Sequence, residues 1–189
     1  METKKVLRLA GLALGAVLIS SFVLMAFVFF DGMSYTATGS EQLNPAGNAA
    51  GNAMVVYDPG ISGASKKVAE EIAKVLQSKG YKVDLAGISS LKAKNTSGYD
   101  VIIVGGPIYA GNASASVKSY LSALKPDEGA KIAVFATGQD ADILNNNEAL
   151  LKEVAPLPQN STLKIVTVTK VIDTNSANQN ATDFVNALL

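Results

Sequence analysis

Small and hydroxyl-bearing residues cluster between an apolar run at residues 54–57 and a helix-forming sequence. The residues of this loop that suit an anion site are Gly60, Ser62, Gly63, Ala64 and Ser65. A loop that enters a helix presents unpaired backbone N–H groups and the positive end of the helix dipole, which together favour an anion. Asp58 precedes the loop without an acidic neighbour in sequence. We expect its carboxylate to lie unpaired near the anion and to repel it.

Two further loops carry residues suited to ligand binding, and each follows an apolar run. The first contains Pro107, Ile108, Tyr109, Ala110, Gly111 and Asn112, and the second contains Thr137, Gly138, Gln139 and Asp140. Tyr109 offers an aromatic face to a planar ligand, while the glycines allow a ligand to approach the backbone closely. The alternative that these three loops only connect a strand to a helix stays open, since short glycine motifs also occur in loops that bind no ligand.

Composition excludes several kinds of chemistry. The chain has no histidine and no cysteine, which removes the usual ligands of transition metals, thiol nucleophiles and Ser–His hydrolysis. It lacks a complete G-x-x-x-x-G-K-[ST] loop, and Asp58 lacks the acidic pair that a phosphoacceptor site needs. With 16 basic and 16 acidic residues the net charge is zero, so no nucleic-acid partner is expected.

Short apolar runs alternate with helical patterns over residues 54–189. The strand predictions are residues 54–57, 81–85 (an edge strand), 100–105, 131–136 and 163–171. The helix predictions are residues 66–79, closed by Gly80, then 114–124, 141–154 and 181–189. This alternation predicts a doubly wound α/β fold with a parallel sheet. Five strands fit the order 2-1-3-4-5, which brings the loops after strands one, three and four together at the carboxyl edge.

The loop at residues 62–65 and the later GGPIYAG and TGQD sequences resemble those of the flavodoxin family. In that family the first loop wraps the phosphate of FMN, the second supplies an aromatic residue that packs on the isoalloxazine, and the third supplies backbone contacts. The resemblance implies that Ser62 and Ser65 bind the phosphate, Tyr109 covers the ring, and residues 137–140 contact it. It implies noncovalent FMN and electron transfer with a redox protein or a membrane electron carrier as partner.

Two other functions remain open on the same fold. One is a nonredox binding module whose cofactor site has degenerated, since a fold persists after its ligand is lost. The other is a flavin-dependent oxidoreductase that resembles the flavodoxin-type protoporphyrinogen oxidases or a quinone reductase. The visible spectrum of the purified protein separates the first from a flavoprotein, and turnover of a quinone or porphyrinogen would favour the second.

Residues 9–30 form 22 consecutive positions without a charge. At about 1.5 Å per residue, a helix of this length crosses a hydrocarbon core of roughly 30 Å. A signal peptide is the alternative, but its apolar core usually runs about 7 to 15 residues before an A-x-A-like site. Lys4, Lys5 and Arg8 precede the apolar stretch, and the next cation is Lys66. The positive-inside rule therefore predicts a single-pass protein of the cell membrane, with its amino terminus cytoplasmic and its globular domain outside.

The segment between the apolar stretch and the first predicted strand is rich in Gly, Ala, Asn, Ser and Thr. It shows neither a helical nor a strand period, so the sequence predicts a flexible linker. The predicted division is residues 1–8 cytoplasmic, 9–30 transmembrane, 31–53 linker and 54–189 flavodoxin-like domain. A chain that begins near Gly51 is then expected to be as stable as one that begins at Gly32.

Overall fold

The computed structural model describes residues 2–29, 31–139 and 147–189. The strands are β1 (Ser40–Leu43), β2 (Gly51–Tyr57), β3 (Tyr81–Gly87), β4 (Val101–Tyr109), β5 (Asn112–Ala113), β6 (Lys131–Thr137) and β7 (Ile165–Val171). The helices are α1 (Glu2–Phe29), α2 (Ala64–Ser78), α3 (Ala115–Ala123), α4 (Asn147–Val154) and α5 (Ala177–Leu188). The part of the predicted helix at residues 141–146 lies outside the described residues.

The strands form one sheet in the order β1-β3-β2-β4-β6-β7, and β5 pairs with the end of β4. All neighbours from β3 to β7 along this order are parallel. The five parallel strands therefore have the predicted order 2-1-3-4-5, which confirms the flavodoxin-like fold class. Alternate side chains of β2 enter two cores, one shared with α2 and α5 and the other with α3 and α4.

The strand β1 corrects two predictions from the sequence. It pairs antiparallel with β3, from Ser40 opposite Ala86 to Leu43 opposite Val83. Residues 40–43 are therefore part of the sheet, as are residues 51–53 at the start of β2, and the prediction of a flexible linker over residues 31–53 is wrong for both segments. The strand β3 is consequently not an edge strand, since β1 covers one side of it and β2 the other.

The residues between α1 and β1 also lie against the domain. Asp31 and Ser34 are buried, and residues 34–36 form a turn of 3₁₀ helix. The backbone N–H of Ser89 donates to the carbonyl of Ala37 at 2.9 Å. Backbone hydrogen bonds of this kind hold a chain in place without requiring an apolar pattern, so no periodicity in the sequence predicts them.

The strand β4 is longer than expected and ends in a hairpin. Residues 106–109, predicted as loop, continue the strand, and Pro107 pairs with Thr137 of β6. The chain then turns back through Ala110 and Gly111, with φ angles of 48° and 73°. Positive φ at both central positions is the signature of a type I′ turn, which matches the twist of the two flanking strands. Tyr109 is thereby held on a strand rather than on a free loop.

The amino-terminal helix extends from Glu2 to Phe29 and includes the three basic residues that precede the apolar stretch. The part from Thr3 to Phe27 is long and apolar enough to cross a membrane, and it is not buried in the protein. A signal sequence at this position passes the same test of length and composition. The carboxyl end of α1 is only one residue away from the buried Asp31.

Candidate functional site

Three connections that leave the carboxyl ends of β2, β4 and β6 meet around one cavity, as the strand order predicts. Its volume is about 490 Å³, within the range of small-molecule sites. The predicted residues that line it are Ile108, Tyr109 and Pro107 from the second connection, Ser62 and Ala64 from the first, and Thr137, Gly138 and Gln139 from the third. Ile61, Val171, Ile172 and Thr174 also line the cavity, and the sequence reasoning missed them.

The first connection delivers the amino terminus of α2 to this cavity. Gly63 occupies the N-cap position with a φ of 73°, and no side chain caps the helix there. The exposed hydroxyl of Ser62 accepts a hydrogen bond from the N–H of Ala64 at 3.3 Å. The remaining N–H groups of the first turn have no acceptor within the helix, so this end of α2 has the electrostatic character of an anion site.

Ser65 lies in a different environment from Ser62. Its side chain is fully buried, and its hydroxyl lies 2.7 Å from the hydroxyl of Thr137. The two hydroxyls join the first turn of α2 to the end of β6. Ser65 therefore presents no free hydroxyl toward the cavity in this arrangement, and only its backbone N–H remains for the anion role expected from the sequence.

Tyr109 links the second connection to the first. Its phenol oxygen accepts a hydrogen bond from the backbone N–H of Ile61 at 3.2 Å. The ring is half-buried, and this burial raises the pKa of the phenol above its ordinary value. Gly60, at a φ of 65°, lies next to this phenol. A Cβ there would lie 3.5 Å from the phenol oxygen of Tyr109 and 3.1 Å from the ring of Pro107. A side chain at Gly60 would therefore crowd the contact that positions Tyr109.

The third connection is anchored to β7. The N–H of Gly138 donates to the carbonyl of Val171 at 3.3 Å. This contact explains why residues 171–174 reach the cavity, since β7 ends at the same edge of the sheet as β6. The parallel pairing of the last two predicted strands was the available signal for them. Asp140, also predicted for this site, lies outside the described residues.

The remaining predicted residues do not line the cavity. Gly60 and Gly63 give the first connection its positive φ angles without lining the cavity, and the side chain of Ser65 is buried in the protein. Ala110, Gly111 and Asn112 form the exposed tip of the hairpin, where the amide of Asn112 donates to the carbonyl of Ala110 at 3.1 Å. Their part in ligand binding stays a prediction.

Asp58 is not an unpaired carboxylate near the anion, as the sequence suggested. It is fully buried and accepts hydrogen bonds from the N–H of Gly60 at 3.0 Å and from the hydroxyl of Ser116 at 2.7 Å. The carboxyl of Asp31 lies beside it and accepts from the N–H of Ser116 at 3.1 Å. The carboxyl is thus paired on both sides, with Gly60 of the first connection and with Ser116 of α3.

Burial and the neighbouring Asp31 carboxyl raise the pKa of Asp58 from 3.8 to about 6, although hydrogen bonds from Ser116 and Gly60 oppose this. The other carboxylate oxygen of Asp31, Oδ1, is buried without a hydrogen-bond donor among the described residues. The raised pKa of Asp58 favours its protonated form, which can donate a hydrogen bond to the carboxyl of Asp31. Neither the proximity of Asp31 nor this pairing was predicted, because the two residues lie 27 positions apart.

A buried ion pair lies beneath the third connection. The ammonium of Lys170 on β7 lies 2.8 Å from the carboxylate of Glu153 on α4, and both side chains are almost fully buried. A Cβ at Gly138 would lie 3.0 Å from Cε of Lys170. The glycine therefore lets the third connection lie directly on the lysine, next to the cavity.

A larger cavity, of about 660 Å³, lies elsewhere. It is lined by the end of α3, by the turn before β6 that contains Glu128, and by the segment before β7 that contains Lys164. This is the amino edge of the parallel strands. Ligands of open α/β sheets bind at the opposite edge, where the strand order reverses, so the smaller cavity is the stronger candidate despite its size.

The family comparison agrees with this topology. The model of the flavodoxin domain family matches residues 55–175. The chain is similar in structure to a flavodoxin from the domain Archaea, with 16% identity over 72% of this chain and 98% of that chain and a TM-score of 0.45. It is similar to oxidised Flavodoxin 2 from Bacillus cereus, with 19% identity over 72% of this chain and 97% of that chain and a TM-score of 0.49.

The flavodoxin of Streptococcus pneumonia TIGR4 is similar at 16% identity over 72% of this chain and 96% of that chain, with a TM-score of 0.49. The comparison with curated proteins finds no match. The family model spans more than half of the 189 residues and includes all three connections around the cavity. On this ground the chain belongs to the flavodoxin family.

Proposed function

We propose that this protein binds FMN noncovalently at the carboxyl edge of its sheet and transfers electrons, while α1 anchors it in the cell membrane. The observation that carries the proposal is the placement of one cavity between the uncapped amino terminus of α2 and the ring of Tyr109. FMN combines an anionic phosphate with a planar aromatic ring. A site for FMN therefore needs both an anion-binding helix terminus and an aromatic wall around one cavity.

The chain offers a suitable phosphate site in the first connection. The N–H groups at the start of α2 and the hydroxyl of Ser62 would hold the phosphate, and the N–H of Ala64 would exchange its bond to that hydroxyl for one to the phosphate. Asp58 does not compete with a phosphate for the N–H groups at the start of α2, because its carboxyl is bonded to Ser116 and Gly60 instead. The residues present therefore fit an anion better than the sequence alone implied.

The ring would lie among the less polar residues of the cavity. Tyr109 supplies an aromatic wall, and Ile61, Ile108 and Val171 supply aliphatic surface. When bound, the flavin supplies the electron-transfer chemistry. The residues of this chain bind it, orient it and limit its contact with water. The hydrogen bond from Ile61 to Tyr109 fixes the aromatic wall against the first connection.

The membrane part of the proposal is supported by the length and exposure of α1. Lys4, Lys5 and Arg8 at its start favour a cytoplasmic amino terminus and a globular domain outside the membrane. The proposal thus concerns a single-pass protein whose redox partner is a protein or a carrier that reaches the outer surface of the cell membrane.

The spectrum of the purified full-length protein tests FMN binding directly. We expect flavin absorption bands, and we expect the flavin-free protein to bind FMN more tightly than riboflavin because only FMN carries the phosphate. Tyr109→Ala should weaken the binding of both ligands and shift the flavin potential, since stacking acts on the ring. Phe184→Leu, at a core residue of α5 that does not line the cavity, is a control for loss of aromatic volume.

Two results would contradict the assignment. Equal affinities for FMN and riboflavin in the unmodified protein would exclude the phosphate site at α2. A folded protein that binds neither ligand would instead favour the nonredox binding module on the same fold.

A further inference from the structure

We propose that the cavity edge of the sheet is held against the phospholipid surface by residues 31–39, which we name the juxtamembrane strap. This inference rests on the membrane anchoring proposed above. It adds the orientation of the domain, which a flexible linker would leave undefined. The partner of this face is the headgroup region of the bilayer in which α1 is embedded.

The first step of the argument is the short distance between the helix end and the domain. The helix α1 ends at Phe29, and the N–H of Gly32 still donates to the carbonyl of Phe27 at 2.9 Å. Asp31 already bonds to the N–H of Ser116 in the first turn of α3. Two residues span at most about 7 Å. The Asp31 side chain and its 3.1 Å hydrogen bond add several ångströms, so the start of α3 lies within roughly 15 Å of the end of the membrane helix.

The second step is the fixed position of the rest of the strap along the carboxyl end of β3. The hydroxyl of Ser89 donates to the carbonyl of Ser34 at 2.7 Å. The N–H groups of Ser89 and Gly87 donate to the carbonyls of Ala37 and Gly39, each at 2.9 Å. A Cβ at Gly87 would lie only 2.3 Å from the oxygen of Ala37. This close packing and these hydrogen bonds hold residues 34–39 in a fixed position at the end of β3.

The start of α3 and the end of β3 both belong to the edge at which the cavity opens. In a parallel sheet, each helix begins where the preceding strand ends, so α3 begins at the carboxyl edge. Asp58 connects the surroundings of the strap to the ligand site, because it bonds to Ser116 beside the strap and to Gly60 of the first connection. The strap and the ligand site therefore share one edge of the molecule.

The third step is the presence of exposed apolar side chains at this edge. Tyr35 on the strap is 74% exposed, Ile61 beside the cavity is 45% exposed, and Leu91 after β3 is 82% exposed. Exposed tyrosine and aliphatic side chains near the end of a membrane helix are suited to the interface between headgroups and acyl chains. Covering these groups with a lipid surface is favourable, because exposing apolar surface to water costs free energy.

Single-cysteine variants can measure the orientation, because the chain contains no cysteine. Leu91→Cys places a fluorophore at the strap edge, and Glu128→Cys places one in the turn before β6, at the opposite edge. Strands of seven residues separate the edges by roughly 23 Å. Both full-length proteins are reconstituted in vesicles of phosphatidylcholine and phosphatidylglycerol that contain a lipid with a nitroxide on its headgroup.

We expect the fluorophore at residue 91 to be quenched several-fold more than that at residue 128. Inserting six alternating glycine and serine residues between residues 30 and 31 should abolish most of this difference by detaching the strap from the membrane end. Equal quenching of the two positions would overturn the proposal, as would a difference that survives the insertion. Vesicle flotation is measured in the same samples. Failure of the protein to float would overturn the membrane anchoring itself, and with it the basis of this inference.

Discussion

The two serines of the β2–α2 connection have different surroundings, and their variants should therefore behave differently. Ser62 is exposed beside the cavity, so Ser62→Ala removes a candidate ligand of the FMN phosphate. A hydrogen bond to a charged group contributes roughly 1.5 to 3 kcal/mol, so FMN affinity should fall by about tenfold or more. Riboflavin affinity should change much less. Titration of the flavin-free protein with both ligands measures the difference, with the remote Ser97→Ala as a control.

Ser65→Ala should instead act on the stability of the fold. It leaves the buried hydroxyl of Thr137 without its partner, and an unsatisfied buried hydroxyl costs about 1 to 3 kcal/mol. Denaturant unfolding should show this loss, while Ser62→Ala should unfold close to the unmodified protein. If Ser65→Ala lowers FMN affinity selectively at full stability, its hydroxyl turns to the phosphate on binding, and the arrangement described above does not persist in the complex.

The carboxyl pair predicts a pH-dependent stability. The pKa of Asp58 in the folded protein, about 6, lies above the ordinary value of 3.8. The fold therefore favours the protonated form, and this stabilisation is complete below pH 3.8 and is lost as the pH rises through about 6. The charges of Asp58 and Asp31 also raise the pKa of Tyr109. No cation is among the groups that shift the pKa of Asp58.

Asp58→Asn should remove this part of the pH dependence. An amide can donate to Asp31 without titrating, so the variant should be more stable than the unmodified protein at pH 8 by up to about 3 kcal/mol. Unfolding free energies between pH 5 and 8 measure the effect, with the exposed Asp183→Asn as the matched control for loss of a carboxylate. Parallel pH profiles for the unmodified protein and Asp58→Asn would show that protonation of Asp58 does not stabilise the fold.

At the level of the elements, the sequence was sufficient where strands are buried on both faces. The continuous apolar runs of β2, β4 and β6 predicted the centre of the sheet, because parallel strands between two layers of helices need such residues. The strand order then predicted which connections meet around the cavity.

The sequence was insufficient where backbone hydrogen bonds decide the structure. The strand β1 has the sequence SEQL, and three of its four residues are exposed. Its pairing with β3 needs no apolar alternation. The direction of Ser65, by contrast, had a sequence signal that was missed, since Ser65 lies three and seven residues before Val68 and Ile72 on the apolar face of α2.

The strand β1 gives a prediction opposite to that from the sequence. Leu43 packs against the core, and Gln42 donates to the carboxylate of Asp84 at 2.9 Å. A chain that begins at Gly51 loses these contacts and exposes the edge of β3. It should be less stable by more than about 1 kcal/mol than a chain that begins at Asp31. Denaturant unfolding of the two soluble chains measures this, and equal stabilities would restore the linker interpretation.

At the level of the whole molecule, the parts depend on one another more than a division into anchor, linker and domain implies. The strap joins the end of α1 to the carboxyl edge through Asp31, and Asp58 continues this network to Gly60 beside the cavity. Three residues thus join the end of α1 to the first connection. With α1 anchored as proposed, this short chain of contacts would connect the bilayer to the proposed ligand site.

The proposed orientation of the protein in the cell membrane gives the last prediction. Lys4, Lys5 and Arg8 should hold the amino terminus in the cytoplasm, because no further cation follows until Lys66. Protease added to intact cells should then remove the globular domain, whereas a cytoplasmic protein used as a control should survive. Changing the three cations to glutamate should leave part of the population protected by weakening this bias. A domain that survives in intact cells but is cut after lysis would have the reverse orientation, and its site would then face a cytoplasmic redox partner.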